Sequence, residues 1–96
     1  MLDKKLYANG QKVYELDGNK LTYFFKTGIL KAEGLFINGL MEGEWKFYRE
    51  SGQLWQVGNF RNSKKNGLFI RFDKNNKLEY REVFEDDKVI KKNSIP

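Results

Sequence analysis

The sequence predicts an all-β protein, an elongated, twisted antiparallel meander of repeated β-hairpins in a single-layer sheet. Three observations lead to that fold class. The chain copies itself with a period of 24 residues: Leu21, Phe24, Gly28, Leu30, Gly34 and Phe36 return as Trp45, Tyr48, Gly52, Leu54, Gly58 and Phe60. They return once more as Phe69, Phe72, Asn76, Leu78, Glu82 and Phe84. A fixed period of this size marks a repeat architecture and outranks local propensity. Within a copy, Leu21, Tyr23 and Phe25 occupy alternate positions, the two-residue period of a strand. Turn-forming pairs fall between the runs, at Asn9-Gly10, Asp17-Gly18, Thr27-Gly28, Ser51-Gly52 and Asn75-Asn76.

Composition narrows the chemistry. With 40% hydrophobic and 32% charged residues, the 96-residue chain reads as one globular domain, and 16% aromatics argue against disorder. Cysteine and histidine are both absent. That removes disulfides, thiol nucleophiles, the usual general base near neutral pH and the commonest transition-metal ligand. No apolar run approaches the roughly 20 residues of a membrane helix. The start, MLDKKLYANG, lacks the apolar core of a signal peptide, so a cytoplasmic location is expected unless a leader was removed. A net charge of +5 keeps the protein soluble and exerts a mild pull toward anionic partners.

Taken in order, residues 5–20 form a degenerate first unit, in which Tyr14 and Glu15 align with Ala32 and Glu33. Repeats follow at 21–43, 44–67 and 68–88, then a tail at 89–96 with no counterpart in the repeat, expected to fray. About eight strands are expected. Lys77–Lys92 has the charges of a helix but keeps strand phase with the earlier units. If Thr27-Gly28 are two-residue turn positions, Phe25 faces Leu30, Tyr23 faces Ala32 and Leu21 faces Gly34. The same arithmetic sets Arg49 against Leu54, Phe47 against Gln56, Trp45 against Gly58 and Gly43 against Phe60. With Asn75-Asn76 turning, Phe69 faces Glu82 and Arg71 faces Tyr80. A large side chain opposite glycine recurs in this register, and a ring lying over a strand glycine would shield its backbone. Trp45 is thereby expected to lie on Gly58.

The recurring pattern reads Phe24-x-x-x-Gly28-x-Leu30, then Gly34-x-Phe36-x-Asn38-Gly39, then Gly43-x-Trp45; the next copy supplies Tyr48, Gly52, Leu54, Gly58, Phe60, Asn62 and Gly67. It resembles the bacterial variant of the MORN repeat, over nearly the whole span from Leu6 to Phe84. Similar repeats occur in YwqK-type antitoxin proteins. The resemblance implies a string of hairpins in one elongated sheet, with no catalytic residues to carry over. Functions attached to such repeats include antitoxin, scaffold and lipid-associated roles. Departures from the pattern are Ser63 for the glycine of Asn-Gly, Asn76 for the turn glycine, and the acidic run around Glu82 to Asp87.

No residue constellation announces catalysis. Glu42, Glu44, Glu50, Glu79, Glu82, Glu85, Asp86 and Asp87 fall on turns or solvent-facing positions, where carboxylates are solvated charge. Asp86-Asp87 lacks the surrounding spacing of a calcium loop. No metal, cofactor or small-molecule substrate is expected. Runs such as Trp45-Lys46-Phe47-Tyr48-Arg49 interleave rings and cations, as single-strand nucleic-acid platforms do. Strand alternation sends Trp45 and Phe47 to one face and Lys46 and Tyr48 to the other, which splits such a platform. The expected interaction surface comprises Trp45, Phe47, Tyr48 and Trp55, with Tyr48 and Trp55 as cross-strand neighbours, and Lys64 and Lys65 in a hairpin loop. A single-layer sheet must curl or find a partner to cover its rings. The expected function is therefore a non-enzymatic interaction module, with a protein partner or self-association; an antitoxin role is what the resemblance adds. The alternative is a surface or lipid-contacting repeat protein, for which the positive charge is permissive.

Overall fold

The computed structural model describes residues 5–94. Nine strands follow one another: β1 (Tyr14–Asp17), β2 (Lys20–Phe24), β3 (Leu30–Ile37), β4 (Leu40–Tyr48), β5 (Leu54–Arg61), β6 (Lys64–Lys65), β7 (Gly67–Phe72), β8 (Leu78–Glu85) and β9 (Lys88–Ser94). All pairings are antiparallel, in a single sheet ordered β1-β2-β3-β4-β5-β7-β8-β9, with β6 and β7 both paired to β5. The principal extents of 41 × 33 × 18 Å are those of one sheet with its two layers of side chains. A second sheet would add about 10 Å.

Two kinds of turn alternate along the meander, and they explain its register. The first is a three-residue loop. Phe25 N–H donates to Ile29 O at 2.8 Å and Gly28 N–H to Phe25 O at 2.9 Å. The same two bonds recur at Arg49–Gln53, at Asp73–Lys77 and, before β1, at Tyr7–Gln11. The third loop residue must be left-handed, and Gly28, Gly52 and Asn76 have φ of 90°, 92° and 63°. Thr27-Gly28 is therefore not a two-residue turn as expected. Phe24, not Phe25, faces Leu30, and Tyr48, not Arg49, faces Leu54. One extra residue on each returning strand, at Lys31, Trp55 and Glu79, then restores the expected register. Beyond these bulges Leu21 pairs with Gly34, Tyr23 with Ala32, Phe47 with Gln56, Trp45 with Gly58, Phe69 with Glu82 and Arg71 with Tyr80.

The second kind has two residues, both with positive φ: Asn38-Gly39, Asn62-Ser63 and Asp86-Asp87. This is the twist-matched turn of tight hairpins. It corrects the placement of Lys64 and Lys65, which form the short strand β6 rather than a loop. It also explains Ser63 where the pattern has glycine. Ser63 N–H donates to Met41 O at 3.0 Å, and Met41 N–H donates to Ser63 Oγ at 2.9 Å. One period later Asp87 N–H donates to Lys65 O at 2.9 Å, and Lys65 N–H to Asp87 Oδ1 at 2.7 Å. The Asn62-Ser63 and Asp86-Asp87 turns are thus clasped to Met41 on β4 and to Lys65 on β6 by reciprocal bonds, which offset the left-handed backbone of a non-glycine residue.

Packing on one face centres on Trp45, 1% exposed, with Leu21 and Ala32 buried beside it and Tyr14, Tyr23, Phe36, Met41, Phe47 and Phe60 around them. The indole does not lie on Gly58. A Cβ at Gly34 would fall inside the Trp45 ring, and a Cβ at Gly58 inside the Phe69 ring. Each ring thus covers the glycine of the strand before it: Ala32↔Phe47 and Glu33↔Lys46 lead to Gly34 beside Trp45, and Gln56↔Arg71 and Val57↔Ile70 lead to Gly58 beside Phe69. Gly43 opposite Phe60 has another reason: its φ of 68°, with only a Leu35 methyl near its Cβ position, marks a backbone irregularity. The register shifts there between β3 and β4. The tail also differs from expectation. Lys88–Ser94 pairs with β8 from Glu85↔Lys88 to Tyr80↔Ser94, since β8 would otherwise present an unpaired edge. Residues 95 and 96, the end of the predicted tail, lie outside the described residues.

Candidate aromatic and cationic face

The period that builds the sheet delivers one ring per strand to the same face. Tyr14 and Tyr23 have centroids 6.3 Å apart, Tyr23 and Trp45 6.5 Å, and Trp45 and Phe60 6.5 Å. The row continues through Phe60–Phe69 at 5.3 Å and Phe69–Phe84 at 5.0 Å, both edge to face. Phe47 joins from the side, 6.3 Å from Trp45 and 6.4 Å from Phe60. Tilted and edge-to-face contacts at these separations add about 0.5–1.5 kcal/mol each beyond burial. Trp45, Phe69 and Phe84 are buried within the layer itself, whereas Tyr14, Tyr23, Phe36, Phe47 and Phe60 remain half-buried. Trp45 has its indole N–H satisfied by Leu35 O at 2.9 Å.

Cations sit over this row. Lys65 Nζ lies 5.3 Å from the Phe69 centroid and 4.9 Å from that of Phe84. The Arg71 guanidinium lies 5.1 Å from the Trp55 centroid and 5.0 Å from that of Tyr80, and its Nε donates to Gln56 Oε1 at 2.7 Å. Arg49 approaches Trp55 at 5.8 Å and donates from Nη2 to Phe72 O at 3.0 Å. Such stacking is worth about 0.5–2 kcal/mol per contact. It also holds each cation's position. Burial pushes the Tyr80 phenol up, with the neighbouring Arg71 charge pulling it the other way. Among the described residues no carboxylate lies within ion-pair distance of Arg49, Arg71 or Lys65.

The opposite face is balanced. Lys20 Nζ meets Glu33 Oε1 at 3.2 Å, and Tyr48 Oη donates to Glu33 Oε2 at 2.8 Å. The bond from Tyr48 holds the Glu33 carboxyl below its ordinary value, with Lys20 and Lys46 assisting against desolvation. Burial, then the bond and charge of Glu33, push the Tyr48 phenol up to about 12. A shallow groove of about 330 Å³ runs here between Lys20, Glu33, Leu35, Glu44 and Lys46. Lys20 and Glu33 within it already neutralise each other.

The expected surface residues separate accordingly. Trp45 is the buried centre of the row, and Phe47 is half-exposed beside it. Tyr48 belongs to the opposite face with Glu33. Trp55 is not its cross-strand partner, because Leu54 takes that place. The bulge at Trp55 turns its ring toward Gln56, Arg71 and the ring-bearing face. Lys64 is exposed at the turn, and Lys65 reaches the rings. Strict alternation from the turn could not place Trp55, nor single out Arg71 and Gln56; their shared row, Gln56↔Arg71↔Tyr80, was present in the register.

Comparison with curated proteins and with solved structures gives no match. Residues 41–62 and 65–86 do match a family, each running from a clasped residue, Met41 or Lys65, through a hairpin into the two-residue turn, and that family is the MORN repeat variant.

Proposed function

We propose that the chain is a non-enzymatic interaction module that binds a protein partner through the ring-bearing face. MORN repeats are commonly protein- or membrane-interaction modules. The observation that carries the reading is the cluster of rings capped by Lys65, Arg71 and Arg49, cations without an ion-pair partner among the described residues, whereas Glu82 on the same face is taken by Lys92 and Glu33 on the other by Lys20. A face that is both apolar and unneutralised is costly to leave in water and specific when covered. A protein is favoured over a lipid surface because the most exposed large apolar side chains do not form one patch. Leu6 and Leu16 sit toward β1, Leu35 on the balanced face, Leu40 at a turn, and Val89 and Ile90 on β9. The antitoxin role that the resemblance suggests would be one form of such binding, with a toxin as the covered partner.

Site-specific photo-crosslinking in the cells that make the protein tests this. A photo-reactive residue at Phe47 or Phe60 should give discrete protein adducts, and one at Lys46 or Val57 should not. Equal adducts from both faces, or none from either, would remove the reading.

A further inference from the structure

The ring-bearing face specifies more than a general docking surface. Resting on the reading just proposed, we infer that it recognises an acidic segment of the partner, with carboxylates received by Arg71 and by Arg49, whose guanidinium groups both lie over Trp55. Three features of the cluster argue for this. The guanidinium of Arg71 is held by its faces, against Trp55 and Tyr80, and by its Nε, through Gln56. Among the described residues no hydrogen bond or ion pair engages its two terminal nitrogens, the pair with which arginine grips a carboxylate. Gln56 is itself buried at 8% exposure, so the anchor is fixed by packing before any ligand arrives. Arg49 is tethered through Nη2 to Phe72 O and has a buried Nε with no acceptor. Among the described residues neither arginine is neutralised by an ion pair. Asp73, which feels the Arg49 charge, already uses its Oδ1 for the N–H groups of Asn75 and Lys77.

The other anionic classes fit less well. Single-stranded nucleic acid needs bare ring faces on which bases stack. Here Trp55, Tyr80, Phe69 and Phe84 lie under Arg71 and Lys65, Trp45 is buried, and the half-buried Phe47 and Phe60 are tilted 59° to each other and do not form a stacking row. An anionic bilayer would ask for exposed apolar side chains projecting beside Arg71 and Arg49, and the exposed ones that stand beside lysines, Leu6 and Leu16 before and on β1 and Val89 and Ile90 on β9, are at the ends of the sheet, away from this cluster. An extended peptide carrying glutamate or aspartate beside apolar side chains matches both elements. Its carboxylates meet the arginines, and its apolar groups cover the half-buried Phe47 and Phe60.

The test uses the full chain at low ionic strength with a labelled hexaglutamate peptide, a decathymidylate oligonucleotide, and vesicles of phosphatidylserine and phosphatidylcholine. Side-chain Nε–H resonances of Arg71 and the indole N–H of Trp55 report the place of binding. Hexaglutamate should shift both, and Arg71→Gln should weaken it roughly tenfold. Lys91→Gln, which removes the same charge from β9, should change it less than about twofold. Arg71→Lys should recover only part of the loss, since it restores charge without the paired geometry. Thermal melts confirm that each variant is folded. Equal weakening by Arg71→Gln and Lys91→Gln would reduce the effect to net charge and overturn the inference. So would tighter, Arg71-dependent binding of the oligonucleotide or vesicles. Loss of the peptide signal with retained Phe47 and Phe60 crosslinks sinks the acidic-segment inference alone, whereas loss of both sinks the docking face as well.

Discussion

The joints between repeats come in two kinds. Between β3 and β4, and again between β5 and β7, an aromatic ring lies on a strand glycine: Trp45 on Gly34, Phe69 on Gly58. Between β8 and β9 the positions one period later are Glu82 and Asn93. The joint there is polar: Glu82 pairs with Lys92 across the strands, their charged ends 4.0 Å apart. Glycine in a strand is unfavourable by itself, so its loss together with the ring shows what it was for. Gly34 and Gly58 are flat seats, retained while something large must lie on them. At the last joint nothing large follows, and the seat reverts to an ordinary strand residue. Ring burial contributes about 1.5–3 kcal/mol, against about 0–1 kcal/mol for a partly exposed ion pair. The inner joints thus hold the array together, and the outer one ends it with charge along β9, as edge strands do.

The sharpest way to break the comparison is to remove a ring. Trp45→Ala should cost about 4 kcal/mol in denaturant unfolding, since it empties the centre of the core and orphans the Leu35 carbonyl. Filling the seat instead, Gly34→Val should cost about 3 kcal/mol, because the added methyls meet the indole. Glu82→Val, at the equivalent position of the outer joint, should stay within about 0.5 kcal/mol. The two inner changes act on one contact. The double variant Gly34→Val, Trp45→Ala should therefore be at least about 1 kcal/mol more stable than the sum of the singles implies. Additive losses would mean that ring and glycine are not coupled.

How much of this was legible in the chain follows the same divide. The period, the strands and most of the register could be read, because alternation and turn chemistry are local and recur three times. The partner of each ring could not. Trp45 has a glycine on each side, and pairing within its hairpin names Gly58, whereas the pairing of β3 with β4, which no turn arithmetic within a hairpin supplies, leads through Glu33↔Lys46 to Gly34, the glycine beneath. The three-residue loops and the bulges at Lys31, Trp55 and Glu79 were missed for a related reason. A loop residue and a bulge residue added in series shift the pairing near the turn and then restore it, so the distant pairs looked correct either way. That hidden shift is what carried Trp55 to the other face and assembled it with Arg71. The role of β9 went unseen because no repeat pattern marks it; a free β8 edge was the signal available.

A smaller effect separates clasped turns from unclasped ones. Ser63→Ala loses the acceptor for Met41 N–H while keeping a left-handed non-glycine residue, and should cost about 1 kcal/mol. Ser63→Gly loses the same bond but relieves the backbone, and should fall near zero. Asn38-Gly39, the one of these three turns with glycine second, is the natural form of that trade. Equal destabilisation by the two substitutions would show that the backbone conformation contributes nothing to the choice of residue.

The smallest effect belongs to the balanced face and is read against pH. Tyr48 donates to Glu33, and its phenol is held up to about 12 from an ordinary value of 10.0. A folded value raised above the unfolded one means stability that is whole below pH 10 and lost as pH climbs toward 12. Glu33 works in the opposite sense. Its carboxyl is held below the ordinary 4.5, so its share is present above that pH and disappears as acid protonates it. Tyr48→Phe removes the donor, and with it the alkaline dependence and the largest part of the acid one, Lys20 and Lys46 keeping the rest. At neutral pH the variant should be about 0.5–1 kcal/mol less stable, modest because the pair is partly exposed. The gap between variant and parent should narrow at both ends of the pH range, as Tyr48 ionises at one and Glu33 is protonated at the other. Denaturant midpoints taken at intervals from pH 3 to pH 11.5 would show it. A constant gap across the range would mean that the lost hydroxyl acts through packing, and that Glu33 is held by Lys20 instead.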